Sequence, residues 1–140
     1  MKSAGLRTVL VLAAVYLVVG ILFGALAGRA TSHQVRIGWR WAAWIVSAIA
    51  FGAHIAYEQL HRRTAPKITA LYVSLAAGLG AFTLAVAANI HAQTAASPHR
   101  HSLALALSLL VWPIMTVVPA FVVAIMAATL VARVRPRTEH

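Results

Sequence analysis

The sequence predicts an all-α integral membrane protein that folds as an antiparallel bundle of four transmembrane helices. Two observations lead to this prediction. The 140-residue chain is 61% hydrophobic and 10% charged, which is typical of membrane proteins rather than soluble domains. Uncharged runs also fill most of the chain, at 8–28, 41–57, 68–90 and 102–132. Because a helix needs about 20 apolar residues to cross a bilayer, each run predicts one span.

We expect one transmembrane domain over residues 1–140, with spans at approximately 7–29, 38–60, 67–92 and 103–132. Short loops favour contacts between successive helices and leave no room for a second domain. Lys2 and Arg7 precede the first run as they would in a signal peptide. The run is longer than the ~7–15 apolar residues of a signal sequence, so we expect a retained helix.

Small residues recur at every fourth position of the spans, and such spacing lets helices pack closely inside lipid. The candidate interface residues are Gly20, Gly24 and Gly28 in span 1, and Ala48, Gly52 and Ala56 in span 2. Similar spacings occur in span 3 at Ala77, Ala81 and Ala85, and in span 4 at Ala120, Ala124 and Ala128. Glycine destabilises a helix, so the triplet in span 1 needs a packing reason. Packing within the bundle and an interface with another subunit both remain open.

Span 2 opens with a tryptophan cluster, and span 4 contains two prolines. Tryptophans at the end of a span usually mark the membrane–water interface. Pro113 and Pro119 each remove a backbone donor, which predicts a kinked fourth helix. Thr116, between them, is a candidate to satisfy a carbonyl that a proline frees. The prolines serve either as a structural kink or as a hinge in a transport site.

Charged residues indicate the orientation of the chain. Twelve basic residues face two acidic ones, Glu58 and Glu139, and the net charge is +10. Eight basic residues flank the termini and the middle loop, whereas four lie on the opposite side, so both termini are expected in the cytoplasm of a bacterial-type inner membrane. Because these residues lie beside the spans, we expect contact with anionic lipid headgroups and no binding of nucleic acid.

His54 and Glu58 lie one turn apart near the end of span 2, and ionisable groups within a span are functional candidates. Such a pair can relay a proton in a channel or transporter, together with Pro113, Thr116 and Pro119. The alternative is structural, with Glu58 paired to Arg62 four residues later.

Four histidines on the side of the membrane opposite the termini are candidate metal ligands: His33, His91, His99 and His101. Solvated loop histidines are the simpler interpretation, because no carboxylate is available to orient the rings. A bis-histidine haem needs ligands at matched depth on facing helices, and His54 and His91 lie near opposite ends. We therefore expect no cofactor.

The absence of cysteine excludes disulfides, thiolate zinc sites and iron–sulfur clusters. The sequence has no phosphate-loop motif, no nucleophile-elbow motif and no paired carboxylates, so we expect that the chain is not an enzyme. The favoured function is a non-catalytic, multi-pass accessory subunit or homo-oligomeric structural component. The alternatives are a small channel or transporter and a metal- or haem-binding membrane protein.

Overall fold

The computed structural model describes residues 3–94 and 102–134, and within these ranges it contains helices and no strand. Four long helices follow one another: α1 (Ser3–Arg29), α2 (His33–Ala56), α3 (Pro66–Thr94) and α4 (Ser102–Val134). A short π-helical turn, Tyr57–His61, continues α2. The all-α prediction is confirmed.

Three of these helices are long and apolar enough to cross a membrane, over Gly5–Arg29, Pro66–His91 and Ala106–Val134. Large apolar side chains on them, such as Val18, Leu110 and Met126, are more than half exposed, as expected where lipid replaces water. The chain therefore has the features of a membrane protein. Helix α2 does not reach the same hydropathy, because Arg40, three tryptophans and His54 interrupt its apolar residues.

Helix α3 packs along both α1 and α4. Gly5 of α1 lies against the ring of Tyr72, and Gly20 lies against Leu84, so residue numbers rise together and α1 and α3 run parallel. Against α4 the order is reversed. Gly78 of α3 faces Val117, and the Asn89 amide donates to Ser108 Oγ at 3.2 Å.

Buried apolar residues form two clusters near the end of the molecule that holds the α2–α3 turn. One cluster joins α2, α3 and α4 through Ile55, Ala70, Val73, Ala124 and Ala128. The other joins α1 and α3 through Val9, Tyr16, Tyr72 and Ala76. Small residues contribute much of this core, in keeping with the close approach that association within lipid needs.

Helix α4 is helical throughout its 33 residues, including both prolines. Thr116 Oγ1 donates to the carbonyl of Trp112 at 2.8 Å. The expectation that Thr116 satisfies a carbonyl freed by a proline is wrong, because the prolines free the carbonyls of Leu109 and Met115 instead. Its hydroxyl makes the local bond to the residue four positions back that threonine commonly forms within helices.

Candidate functional site

The turn between α2 and α3 is built by an unusual helix end. The amide of Arg62 donates to the carbonyl of Tyr57 at 3.3 Å, five residues back, which makes the last turn π-helical. Arg63 then adopts a left-handed conformation with φ of 49°, which directs the chain away from the helix axis. Pro66 begins α3, where its missing N–H is not needed.

This geometry turns two adjacent polar side chains inward. Glu58 Oε1 accepts from Arg62 Nη1 at 2.8 Å, and Glu58 Oε2 accepts from Thr64 Oγ1 at 2.8 Å. Gln59 Nε2 donates to the Thr64 carbonyl at 3.1 Å and to Thr69 Oγ1 at 2.8 Å. We call these five residues the turn cluster. It links the end of α2 to the first turn of α3.

The carboxylate of Glu58 is fully buried, whereas the Arg62 side chain is 23% exposed. A buried charge is tolerated when it is paired and its remaining lone pairs are hydrogen-bonded. Glu58 meets both conditions, since one oxygen is paired with a cation and the other accepts from a hydroxyl. The buried carboxylate is therefore satisfied, and the hydrogen bonds around it rigidify the turn.

His54 lies one turn before Glu58 and is the exception in this region. Its Nε2 is 3.9 Å from Glu58 Oε1, which is too long for a hydrogen bond. The residue is 3% exposed, and neither ring nitrogen has a hydrogen-bond partner. A buried polar atom without a partner usually costs stability and calls for an explanation. Chemically, this imidazole is able to exchange a proton or bind a polar group beside the carboxylate.

The pairing of Glu58 with Arg62 was expected from their spacing and is confirmed. Gln59, Thr64 and Thr69 were missed as members of the site. Their sequence signal is weak, because a glutamine and two threonines near a loop are ordinary polar residues. The π-helical turn that brings them together has no recognisable signature in the sequence.

Of the other candidate residues that the structure describes, none is a member of the turn cluster. Thr116 bonds within α4, and Pro113 and Pro119 lie inside the same uninterrupted helix. His33 and His91 are exposed, and His99 and His101 lie outside the described residues. Among the described residues, no three histidine or acidic side chains are grouped so that they could hold a metal ion.

The small-residue positions divide into packed and open ones. Gly20 is packed against the Leu84 side chain of α3. No atom of another helix lies within 4 Å of the positions that a Cβ would take at Gly24, Gly28 and Gly52. On α2, Ala48 and Gly52 are exposed and Ala56 is half-buried. The glycine spacing in the sequence therefore serves internal packing at one position and leaves open surface at others.

Comparison with known proteins adds no assignment: no family model, no curated protein and no solved structure matches this chain. The packing, burial and charge of the described residues are therefore the features that bear on function.

Proposed function

We propose that this chain is a non-catalytic membrane component that associates with a second copy of itself through α2. In this proposal it crosses the bilayer four times as an antiparallel bundle. Helix α2 has 24 residues, which at 1.5 Å per residue gives about 36 Å, more than the ~30 Å of a hydrocarbon core. Arg40 lies near the start of α2, from where a long side chain reaches the headgroups.

The orientation follows from the basic residues. Lys67, Arg62 and Arg63 lie at the α2–α3 turn, and further basic residues occur near both termini. The excess of lysine and arginine at this end supports a cytoplasmic location for the termini in a bacterial-type inner membrane. Anionic lipid headgroups are the natural partners of these side chains.

The observation that supports association is an outward face of α2 on which Ala48 and Gly52 are exposed and Ala56 is half-buried. We call Ala48, Gly52 and Ala56 the α2 stripe. Gly52 has no atom within 4 Å of its Cβ position, whereas Gly78 and Gly80 of α3 are tightly packed. Four-residue spacing of small residues lets two helices approach closely, and close packing is a main force for association in lipid. A second copy offers the same stripe, as a two-fold interface requires.

The turn cluster supports a structural rather than a catalytic role. Both oxygens of Glu58 are engaged by Arg62 and Thr64 of the same chain. A carboxylate held in this way links α2 to α3 and has no free oxygen for a substrate. The hydrogen bonds of the cluster keep the turn in a fixed shape.

The association test is the variant Gly52→Leu. We expect a leucine at the centre of the α2 stripe to prevent close approach, so the dimer fraction should fall at least about tenfold. Native mass spectrometry of protein released in mild detergent measures this fraction. Ala53→Leu is the matched control, because Ala53 is also exposed and lies about 100° around the helix from Gly52.

A dimer that persists in Gly52→Leu, or that Ala53→Leu disrupts equally, would contradict the proposed interface. Gly24→Leu adds a second comparison, since the proposal predicts that filling this open position on α1 leaves the dimer intact. Copurification of a different polypeptide that Gly52→Leu releases would replace the second copy with a heterologous subunit on the same face.

The buried imidazole of His54 favours a second candidate function, a small proton-coupled channel or transporter. Its two ring nitrogens have no hydrogen-bond partner, and it lies beside a carboxylate. Buried ionisable groups of this kind mark proton pathways in membrane transporters. In this candidate, His54 and Glu58 exchange a proton while α4 moves about Pro113 and Pro119.

The transport candidate predicts a proton flux that depends on both side chains. The purified protein is placed in liposomes that enclose a pH-sensitive dye. An applied pH gradient should then drive protons through the protein and acidify the lumen. Glu58→Gln and His54→Gln should each reduce the rate at least about tenfold, whereas the exposed His33→Gln should retain it. Liposomes that show no flux with the unaltered chain would eliminate this candidate.

A further inference from the structure

The end of the molecule opposite the turn cluster carries an open groove between α1 and α2. Its volume is about 640 Å³, within the range of small-molecule sites. The α1 wall contains Gly24 and Gly28, and the α2 wall contains Arg36, Arg40 and Trp44. An aromatic contact lies between the same two helices, with the Phe23 and Trp39 ring centroids 6.0 Å apart.

The apolar part of the groove is open because two of its lining residues are glycines, which have no side chain. A Cβ added to Gly24 or to Gly28 would meet no atom within 4 Å, so these glycines do not serve packing between helices of the chain. Ala27 and Ala43 add two more small side chains to the lining of the groove. A flexible hydrocarbon chain fits such a surface better than a bulky side chain does.

Among the described residues, no carboxylate is paired with the charged part of the groove. Arg36 and Arg40 are four residues apart on α2 and therefore share one face. The sequence contains two carboxylates, of which Glu58 lies at the opposite end and is engaged by Arg62 and Thr64. The second, Glu139, falls after α4 and outside the described residues. Within the described part of the chain, the two guanidinium groups therefore have no anionic partner, and an external anion is able to bind them.

We propose that this groove binds one anionic phospholipid. Guanidinium groups bind phosphate oxygens in a planar, two-pronged geometry, so Arg36 and Arg40 would hold the headgroup. An acyl chain would follow Gly28 and Gly24 into the bilayer. Trp44 would lie beside the glycerol region, where tryptophan side chains are enriched in membranes. Gly24 and Gly28 lie in the last two turns of a candidate span, at the depth that this arrangement requires.

A zwitterionic lipid fits the groove less well. Phosphatidylcholine carries a phosphate but also a quaternary ammonium, which two neighbouring arginines repel. A headgroup with a net negative charge, such as phosphatidylglycerol, balances part of the positive charge. Lipid recognition by basic pockets between transmembrane helices follows the same electrostatic rule.

The test is lipid titration followed by native mass spectrometry, with phosphatidylglycerol or phosphatidylcholine added to delipidated protein in detergent. We expect one phosphatidylglycerol to bind at least about tenfold more tightly than phosphatidylcholine. The double variant Arg36→Gln/Arg40→Gln should lose this preference. Lys67→Gln/Arg133→Gln is the matched control, since it removes the same charge from the other end and should keep the preference.

Gly24→Leu tests the groove without any change of charge. A leucine there has space in the folded chain and should reduce phosphatidylglycerol binding at least about tenfold by occupying the path of the acyl chain. Equal binding of the two lipids to the unaltered protein would overturn the proposal. An unchanged lipid preference in the arginine variant would also overturn it. Full lipid binding by Gly24→Leu together with loss of a dimer would overturn it as well, and would indicate that a helix occupies the groove.

Discussion

Arg62→Ala is expected to lower the free energy of unfolding by about 2–3 kcal/mol. The substitution leaves Glu58 as a buried charge whose cationic partner is gone, and breaking a buried pair in this way costs about 3–5 kcal/mol. We place the effect below that range because the Arg62 side chain is 23% exposed, so water reaches part of the space that it leaves. Reversible unfolding in mixed detergent micelles measures the change.

The direction of the loss can be checked with a double variant. Glu58→Gln/Arg62→Ala removes both charges and retains an amide oxygen that accepts from Thr64, so it should recover at least half of the lost stability. Glu58→Gln alone should cost less than Arg62→Ala, because the partly exposed arginine can turn toward water or headgroups. Equal losses in the two single variants, without recovery in the double variant, would show that the buried charge is not the cause.

Gly80→Ala is expected to destabilise the protein by about 1–3 kcal/mol, although alanine favours helix more than glycine does. The new Cβ would lie 2.7 Å from Tyr16 Cβ and 3.5 Å from the Ala13 carbonyl oxygen of α1. Tyr16 Cβ is fixed to its backbone, so no rotamer change relieves the contact. Helices α1 and α3 would have to separate. Thermal unfolding in detergent, together with reversible unfolding in mixed micelles, measures the effect.

Two other glycines provide controls of graded severity. At Gly20 the new Cβ would meet the Leu84 methyl groups at 2.5 and 2.6 Å, but leucine can change rotamer, so Gly20→Ala should cost less than Gly80→Ala. At Gly38 no atom lies within 4 Å, and Gly38→Ala should be neutral or stabilising by up to about 1 kcal/mol. If Gly80→Ala proved as stable as Gly38→Ala, the close packing of α1 on α3 would be refuted.

The all-α fold class was predictable because each long apolar run can form only one kind of secondary structure in lipid. A backbone in lipid has no water to satisfy its polar groups, so a long apolar run forms a helix with internal hydrogen bonds. The three runs that yield α1, α3 and α4 need no further information. Helix α2 differs from these three, because Arg40 and the tryptophans lower its hydropathy.

The candidate site was predictable only where local spacing determines contact. His54, Glu58 and Arg62 follow one another at four-residue intervals, and the structure places Glu58 against Arg62. The contribution of Thr64 and Thr69 depends on the π-helical turn and on how α3 folds back beside α2. Neither feature follows from periodicity. The π-helical turn depends on a bond to the residue five positions back, and the position of α3 depends on tertiary packing.

By itself the sequence determined the helices, the apolar composition and the positions of small residues, because hydrophobicity and spacing act within each segment. The tertiary structure decided which small residues are used. Gly20 and Gly80 contact neighbouring helices, whereas Gly24, Gly28 and Gly52 leave open surface. The physical reason is that a helix with a small-residue face can rotate about its axis toward several neighbours. Packing of all the helices together selects one rotation, and this selection leaves the groove open and Ala48 and Gly52 of the α2 stripe exposed.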